Sequence, residues 1–241
     1  MSLTVPGEYL LNKCSGALAQ ISQVVDEIND ESNIITGTLK ISAPRRIGQL
    51  FLDGLLIQYA KLYPDVCIEI LFTDSKVDLL TSGIDLAVRS QTILDPETHA
   101  IPIGPDIPMS VVASPKYLER NGTPKYPKEL VDHKGICFAF EDSKLLASWS
   151  FRSKGQTYSA MPKPILIVND IGSMLSYCEQ GLGLAYTFAE STREATDKKR
   201  LIPVLEKFVA RLPKFSINYL SKRHQPWRVR AFIELAKQHR F

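Results

Sequence analysis

The sequence predicts a two-lobed α/β fold, each lobe a mostly parallel or mixed sheet flanked by helices. Three observations carry this. Apolar runs of strand length alternate with helical periodicity from residue 38 to residue 89, as β-α-β-α-β. A second alternation begins near residue 135, and the chain ends on one more strand and helix. Alternation of this kind marks sheets covered by helices, and 241 residues are enough for one large domain or two lobes.

The elements follow in order. Residues 8–31 read as one helix. Leu11, Cys14, Leu18, Ile21, Val25 and Ile28 recur at steps of three and four, the seam of a helix that pairs with another helix. Residues 38–43 (TLKISA) form a short strand that Pro44 ends. Ile47, Leu50, Phe51, Leu55, Leu56, Tyr59 and Leu62 place a helix at 47–62, stopped by Pro64. Residues 66–73 (VCIEILFT) are a strand, 75–82 a short helix ending at Gly83, and 85–89 (DLAVR) the next strand.

Two proline-interrupted apolar runs occupy 100–113. Ser114 and Pro115 then start a helix, with proline in the first turn where an amide has no partner to lose. Residues 135–140 are a strand, and 149–151 with 157–159 suggest a hairpin around Lys154 and Gly155. Residues 165–168 form another strand. Asn169 or Asp170 caps a helix carrying Ile171, Met174, Leu175 and Cys178, and Gly181-Leu182-Gly183 closes it. Residues 215–220 are a strand and 226–239 a final helix, with Val229, Phe232, Ile233 and Ala236 inward.

If the chain crosses between lobes near residues 113 and 217, lobe I is 38–113 with 217–241 and lobe II is 114–216. Two crossings leave a cleft. Ligands of open α/β sheets bind beyond the carboxyl ends of strands. Segments 44–46, 73–75, 89–91 and 169–170 all follow strands. The candidate ligand-binding residues are therefore Ser42, Arg45, Arg46, Thr73, Arg89, Asn169 and Asp170. Arginine offers a rigid donor fork that fits carboxylates, so Arg45 and Arg46 point to a small organic anion. Their alternative is exposure to solvent or pairing with acids. Thr73 could instead cap its loop, Arg89 could sit in a structural ion pair, and Asn169 and Asp170 could serve as helix caps.

Composition excludes several classes. No stretch approaches 18 uninterrupted apolar residues, and no signal peptide opens the chain, so a cytoplasmic protein without membrane contact is expected. The cysteines at 14, 67, 137 and 178 are separated by 53, 70 and 41 residues. That spacing fits no zinc module, and four reduced thiols are expected. His99, His133, His224 and His239 lack metal-ligand spacing. There is no G-x-S-x-G elbow and no glycine-rich phosphate loop, so neither an enzyme nor a cofactor or metal site is expected. Charge is uneven. Residues 1–37 carry five acids and one lysine, and 193–241 carry 13 Lys or Arg against four acids. The basic end reads as a solvated surface, a protein contact or, least, a nucleic-acid face.

Residues 38–44 (TLKISAP), Tyr63-Pro64 with Val66, and residues 77–80 with 83–89 (GIDLAVR) resemble the effector-binding domain of LysR-type transcriptional regulators. So do 111–118 (VVASPKYL), Asn169-Asp170, Gly181-Leu182-Gly183, 201–205 (LIPVL) and 228–232 (RVRAF), all in the right order. The resemblance implies two lobes of the type 2 periplasmic-binding kind, with a small-molecule effector between them. It implies that residues 8–31 end a dimerising linker, that the chain forms a dimer or tetramer, and that the intact regulator meets operator DNA and RNA polymerase. Operator contact would run only through an N-terminal DNA-binding domain, which the resemblance expects to be absent from this chain. Ser90-Gln91 and Arg45-Arg46 depart from the family pattern, so the effector cannot be copied from relatives. A solute-binding receptor of a transport system and an uncharacterised enzyme on the same fold are the alternatives.

Overall fold

A computed structural model describes Thr4, Pro6, Gly7, Cys14 and residues 35–75, 77–79, 81–90, 98–140, 145–220 and 225–239. Of the helix expected at 8–31, all but Cys14 lies outside the described residues, as does Gln91. The chain forms two compact units. The first holds Met1–Pro105 with Lys214–Phe241, the second Asp106–Pro213.

In the first unit, β1 (Gly37–Ala43) is followed by one helical turn, α1 (Arg45–Ile47), a π-helical stretch (Gly48–Leu52) and α2 (Asp53–Leu62). Then come β2 (Val66–Phe72), β3 (Leu86–Ser90) and β4 (Thr98–Ile103). After the second unit the chain returns as β12 (Phe215–Leu220) and α6 (Trp227–Gln238). The sheet order is β2-β1-β3-β12-β4. β1 runs parallel to β2 and β3, and β12 antiparallel to β3 and β4. The carboxyl half of β1 is buried through Ile41, Ser42 and Ala43 without alternation, as for a central strand covered on both faces. Tyr59 ties α2 to α6: its hydroxyl donates to the Arg228 carbonyl at 2.7 Å, and its ring meets Phe232 edge-on at 5.2 Å.

Two expectations are corrected here. The helix expected unbroken over 47–62 is interrupted by the π-helical stretch. Gly48 sits so close to Phe72 that a β-carbon there would stand 2.8 Å from the ring. The changed winding leaves Leu50 and Phe51 half-buried and Leu62 exposed, while Leu55, Leu56 and Tyr59 are buried. The helix expected at 75–82 is replaced, among the described residues, by turns. Short polar side chains there bind locally: the Ser75 N–H donates to Thr73 Oγ1 at 3.1 Å, the Ile84 N–H to Ser82 Oγ at 3.3 Å, and Thr81 Oγ1 to Asp78 Oδ2 at 2.8 Å. Such bonds compete with the helical ladder.

The second unit holds β5 (Met109–Ala113), α3 (Pro115–Asn121), a 3₁₀ turn (Pro127–Asp132), β6 (Lys134–Phe138) and a hairpin of β7 (Ser150–Ser153) and β8 (Gln156–Ser159). It continues with β9 (Lys163–Val168), α4 (Ile171–Glu179), β10 (Leu184–Phe188), α5 (Ala189–Asp197) and β11 (Ile202–Val204). The order is β11-β5-β10-β6-β9, with β6, β9 and β10 mutually parallel and β5 antiparallel to both β10 and β11. β5 therefore belongs to the second sheet. The boundary expected after residue 113 falls at Pro105/Asp106, and the one expected before residue 217 at Pro213/Lys214.

β10 shows the two-residue period of a strand buried on both faces. Leu184 and Tyr186 join Val111, Trp149 and Phe151 on one side, and Ala185 joins Val112, Met174 and Cys178 on the other. Trp149 stacks on Tyr186 at 5.6 Å. The Gly181-Leu182-Gly183 turn serves two needs. Gly181, at φ +83°, ends α4: its N–H reaches Cys178 O at 3.0 Å and the Leu182 N–H reaches Tyr177 O at 3.3 Å, the paired bonds of a left-handed helix end. Gly183 lets β10 pass β6, because a β-carbon there would stand 2.7 Å from the Lys134 carbonyl oxygen.

Candidate functional site

The carboxyl end of the first sheet is organised by one buried arginine. Arg89 sits on β3 and is 6% exposed. Its Nη2 donates to Ser42 Oγ at 2.8 Å and to the Ser75 carbonyl at 2.7 Å; its Nη1 donates to the Val88 carbonyl at 2.7 Å and the Ser42 carbonyl at 3.3 Å. One guanidinium thus joins the ends of β1 and β3 to the loop after β2. The sequence could not show this, because it depends on pairings made 47 residues apart. Ser42, fully buried, belongs to the same joint.

Thr73 continues the closure. Its N–H donates to the Ala43 carbonyl at 3.0 Å and its hydroxyl oxygen accepts from the Ser75 N–H. That leaves the hydroxyl proton of this half-buried side chain to donate elsewhere.

Arg45 and Arg46 lead out of β1 on this platform, in α1, and their surroundings differ. The exposed Arg45 places its guanidinium 5.0 Å from the centre of the Phe72 ring, a cation–π contact. Arg46 is half-buried and donates from Nη1 to Gln49 Oε1 at 3.3 Å, while its Nε is buried and meets no acceptor among the described residues. Phe72 and Gly48 were missed by sequence reasoning as parts of this site. The glycine three residues after Arg45 was the signal available.

Asn169 and Asp170 lie in the second unit, after β9, and both are exposed. Asp170 caps α4, its Oδ2 accepting from the Ser173 N–H at 2.7 Å. Ser42, Arg45, Arg46, Thr73 and Arg89 are thus brought together in one unit; Asn169 and Asp170 belong to the other. Among the described residues no group of three or more His, Cys, Asp or Glu side chains could hold a metal ion, and no helix is long and apolar enough to cross a membrane.

Two α/β units, the first of them interrupted in sequence by the second, define the class of fold. A family model described as the LysR substrate binding domain matches residues 33–240, and the chain belongs to that family, the regulatory part of LysR-type transcriptional regulators. It is 32% identical to an uncharacterised HTH-type transcriptional regulator, YcaN, of Escherichia coli, over 98% of this chain and 77% of that protein. It is 29% identical to the HTH-type transcriptional regulator PgrR of the same organism, over 97% and 78%. The crystal structure of a full-length AphB variant superposes with a TM-score of 0.81 at 26% identity, covering 99% of this chain and 80% of that one.

Proposed function

We propose that this module senses an anionic small-molecule effector at the carboxyl end of the first unit's sheet. Its occupancy then changes the geometry of a homo-oligomer and so the transcription that the intact regulator controls. The observation that carries the reading is the joint made by Arg89. It holds three strand ends and loops rigid while Arg45, Arg46 and Thr73 extend from them. Rigid support for a few convergent polar groups is what a small-molecule site requires. Ser42 and Arg89 build its floor, with the serine hydroxyl and both terminal nitrogens of the arginine engaged within it. Asp170 serves as a helix cap, and Asn169 beside it marks the corresponding strand end of the second unit.

The module acts by binding, not by turnover. Contact with operator DNA and with RNA polymerase belongs to the intact regulator, in the cytoplasm. Self-association, as a dimer or tetramer, is supported by apolar side chains left exposed on two edge strands and the helices beside them: Leu71 on β2 with Ile57 and Leu62 on α2, and Ile165 and Ile167 on β9 with Tyr177 on α4.

A thermal-shift screen of metabolites tests the reading, because a ligand that binds only the folded state raises the melting temperature. A compound that raises Tm in the parent and loses most of that rise in Arg46→Ala or Arg45→Ala supports it. If no metabolite raises Tm, the reading fails. Sedimentation tests the assembly, and a clean 27 kDa species would refute it.

A further inference from the structure

Resting on the effector-sensing reading, we infer that the two neighbouring arginines have divided roles: Arg46 grips an oxyanion of the effector side-on, through Nε and a terminal nitrogen, while Arg45 is a positioning residue committed to Phe72. Three observations converge. The Arg45 guanidinium lies over the Phe72 ring, and Phe72 ends β2 beside Ala43, its register partner on β1. Gly48 packs against the same ring so closely that any side chain there would displace it. Phe72 is therefore held from two sides, and the π-helical stretch beginning at Gly48 fixes the direction in which the Arg45–Ile47 turn leaves the sheet.

Arg46 is differently placed. Its Nη1 bonds to a neutral amide, Gln49 Oε1, at 3.3 Å, and its Nε–H has no acceptor among the described residues. A buried donor without an acceptor is an unfavourable resting state. A carboxylate, sulfate or phosphate oxygen pair that draws the guanidinium toward it gives Nε and Nη2, the terminal nitrogen on the same side of the fork, one acceptor each. It adds two charge-assisted bonds on the side of the fork away from the Nη1 bond to Gln49. The planar fork fits this approach and an ammonium does not, so lysine cannot substitute at Arg46. At Arg45 lysine can, because an ammonium also sits over an aromatic face.

The test is side-chain NMR of the arginine Nε–H signals in the whole chain. Arg45 and Arg46 are assigned by loss of their signals in R45K and R46K. Acetate, benzoate, phosphate and sulfate are titrated, with acetamide and benzamide as uncharged mimics. The expected result is that at least one oxyanion moves the Arg46 signal and leaves that of Arg45 in place, and that its uncharged mimic, or an added chloride control, does neither. R46K should weaken that oxyanion by at least about tenfold, and R45K by less than about threefold, with Tm near the parent in both. The inference is overturned if none of the four oxyanions moves the Arg46 signal, if Arg45 moves instead, if the mimic binds equally, or if R46K binds like the parent. A metabolite that raises Tm without disturbing Arg46 removes this inference and leaves the sensing reading intact. The absence of any stabilising metabolite removes both.

Discussion

Arg89 and Ser42 form a closed joint: one terminal nitrogen of the arginine reaches the serine hydroxyl at 2.8 Å and the other its carbonyl at 3.3 Å. Lysine in place of Arg89 cannot meet Ser42, Val88 and Ser75 together, and it leaves buried acceptors without donors. Arg89→Lys should lower stability by about 2 kcal/mol or more, read as a shift of the urea midpoint. It should also weaken any effector found by screening. A midpoint within experimental error of the parent would show that the joint contributes little.

The two glycines at 83 and 183 predict losses of different size and cause. Gly183→Ala drives a methyl group into the Lys134 backbone, which cannot rotate away, and should cost about 1–3 kcal/mol or prevent folding. Gly83 has φ +70° with nothing within 4 Å of an added β-carbon, so Gly83→Ala should cost only the left-handed backbone strain, about 1 kcal/mol. Equal effects in thermal unfolding would contradict the packing argument.

His133 is buried, with Nδ1 at 3.1 Å from the Tyr117 hydroxyl, which itself accepts from the Lys134 N–H at 2.9 Å. Burial holds its pKa below the ordinary value, against the pull of Asp132 and Glu129. The unfolded chain then binds the proton more readily than the folded one. Stability from this group is complete above the ordinary histidine pKa, about 6.5, and is lost as pH falls from there through the folded value. His133→Gln keeps an acceptor for Tyr117 and removes the titration. Its stability should fall less than the parent's between pH 7 and pH 5, and parallel curves would exclude His133 as a source.

Burial pushes the Cys178 thiol up to about 12, and its Sγ lies within 3.4 Å of the Val112 and Gly183 carbonyls. Cys137 is likewise buried, its thiol also raised by burial. Thiolates do the reacting, so iodoacetamide near neutral pH should label neither until denaturant is added, while exposed Cys67 is modified earlier. Labelling of Cys178 in the native protein, seen by peptide mass spectrometry, would disprove this.

Local pattern carried most of the elements, and what it missed follows from long-range pairing or weak apolar contrast. The hairpin about Lys154 and Gly155, the Asp170 cap and the strand at 215–220 were all legible, since turn chemistry, capping and apolar runs are local. α5 was invisible because its inward positions are Thr192 and Ala195 in a polar run. The apolar run that ends at residue 113 was visible, but its sheet was not, since the partners of β5 begin 71 residues or more further on, at Leu184 and Ile202. In the candidate site the adjacent arginines could be read from sequence. The contact of Arg45 with Phe72 could not, because it depends on the register of β1 against β2.

β12 enters the first sheet between β3 and β4, two strands that precede it by more than 100 residues. The second unit is a continuous stretch, Asp106–Pro213, and can finish folding while the chain is still being synthesised. The first cannot. Until residues 215–220 leave the ribosome, β3 and β4 each expose an unpaired edge, and the joint of Arg89 and Ser42 stands on an unfinished sheet. A premature stop before residue 215 would therefore leave the first sheet without the strand that joins β3 to β4.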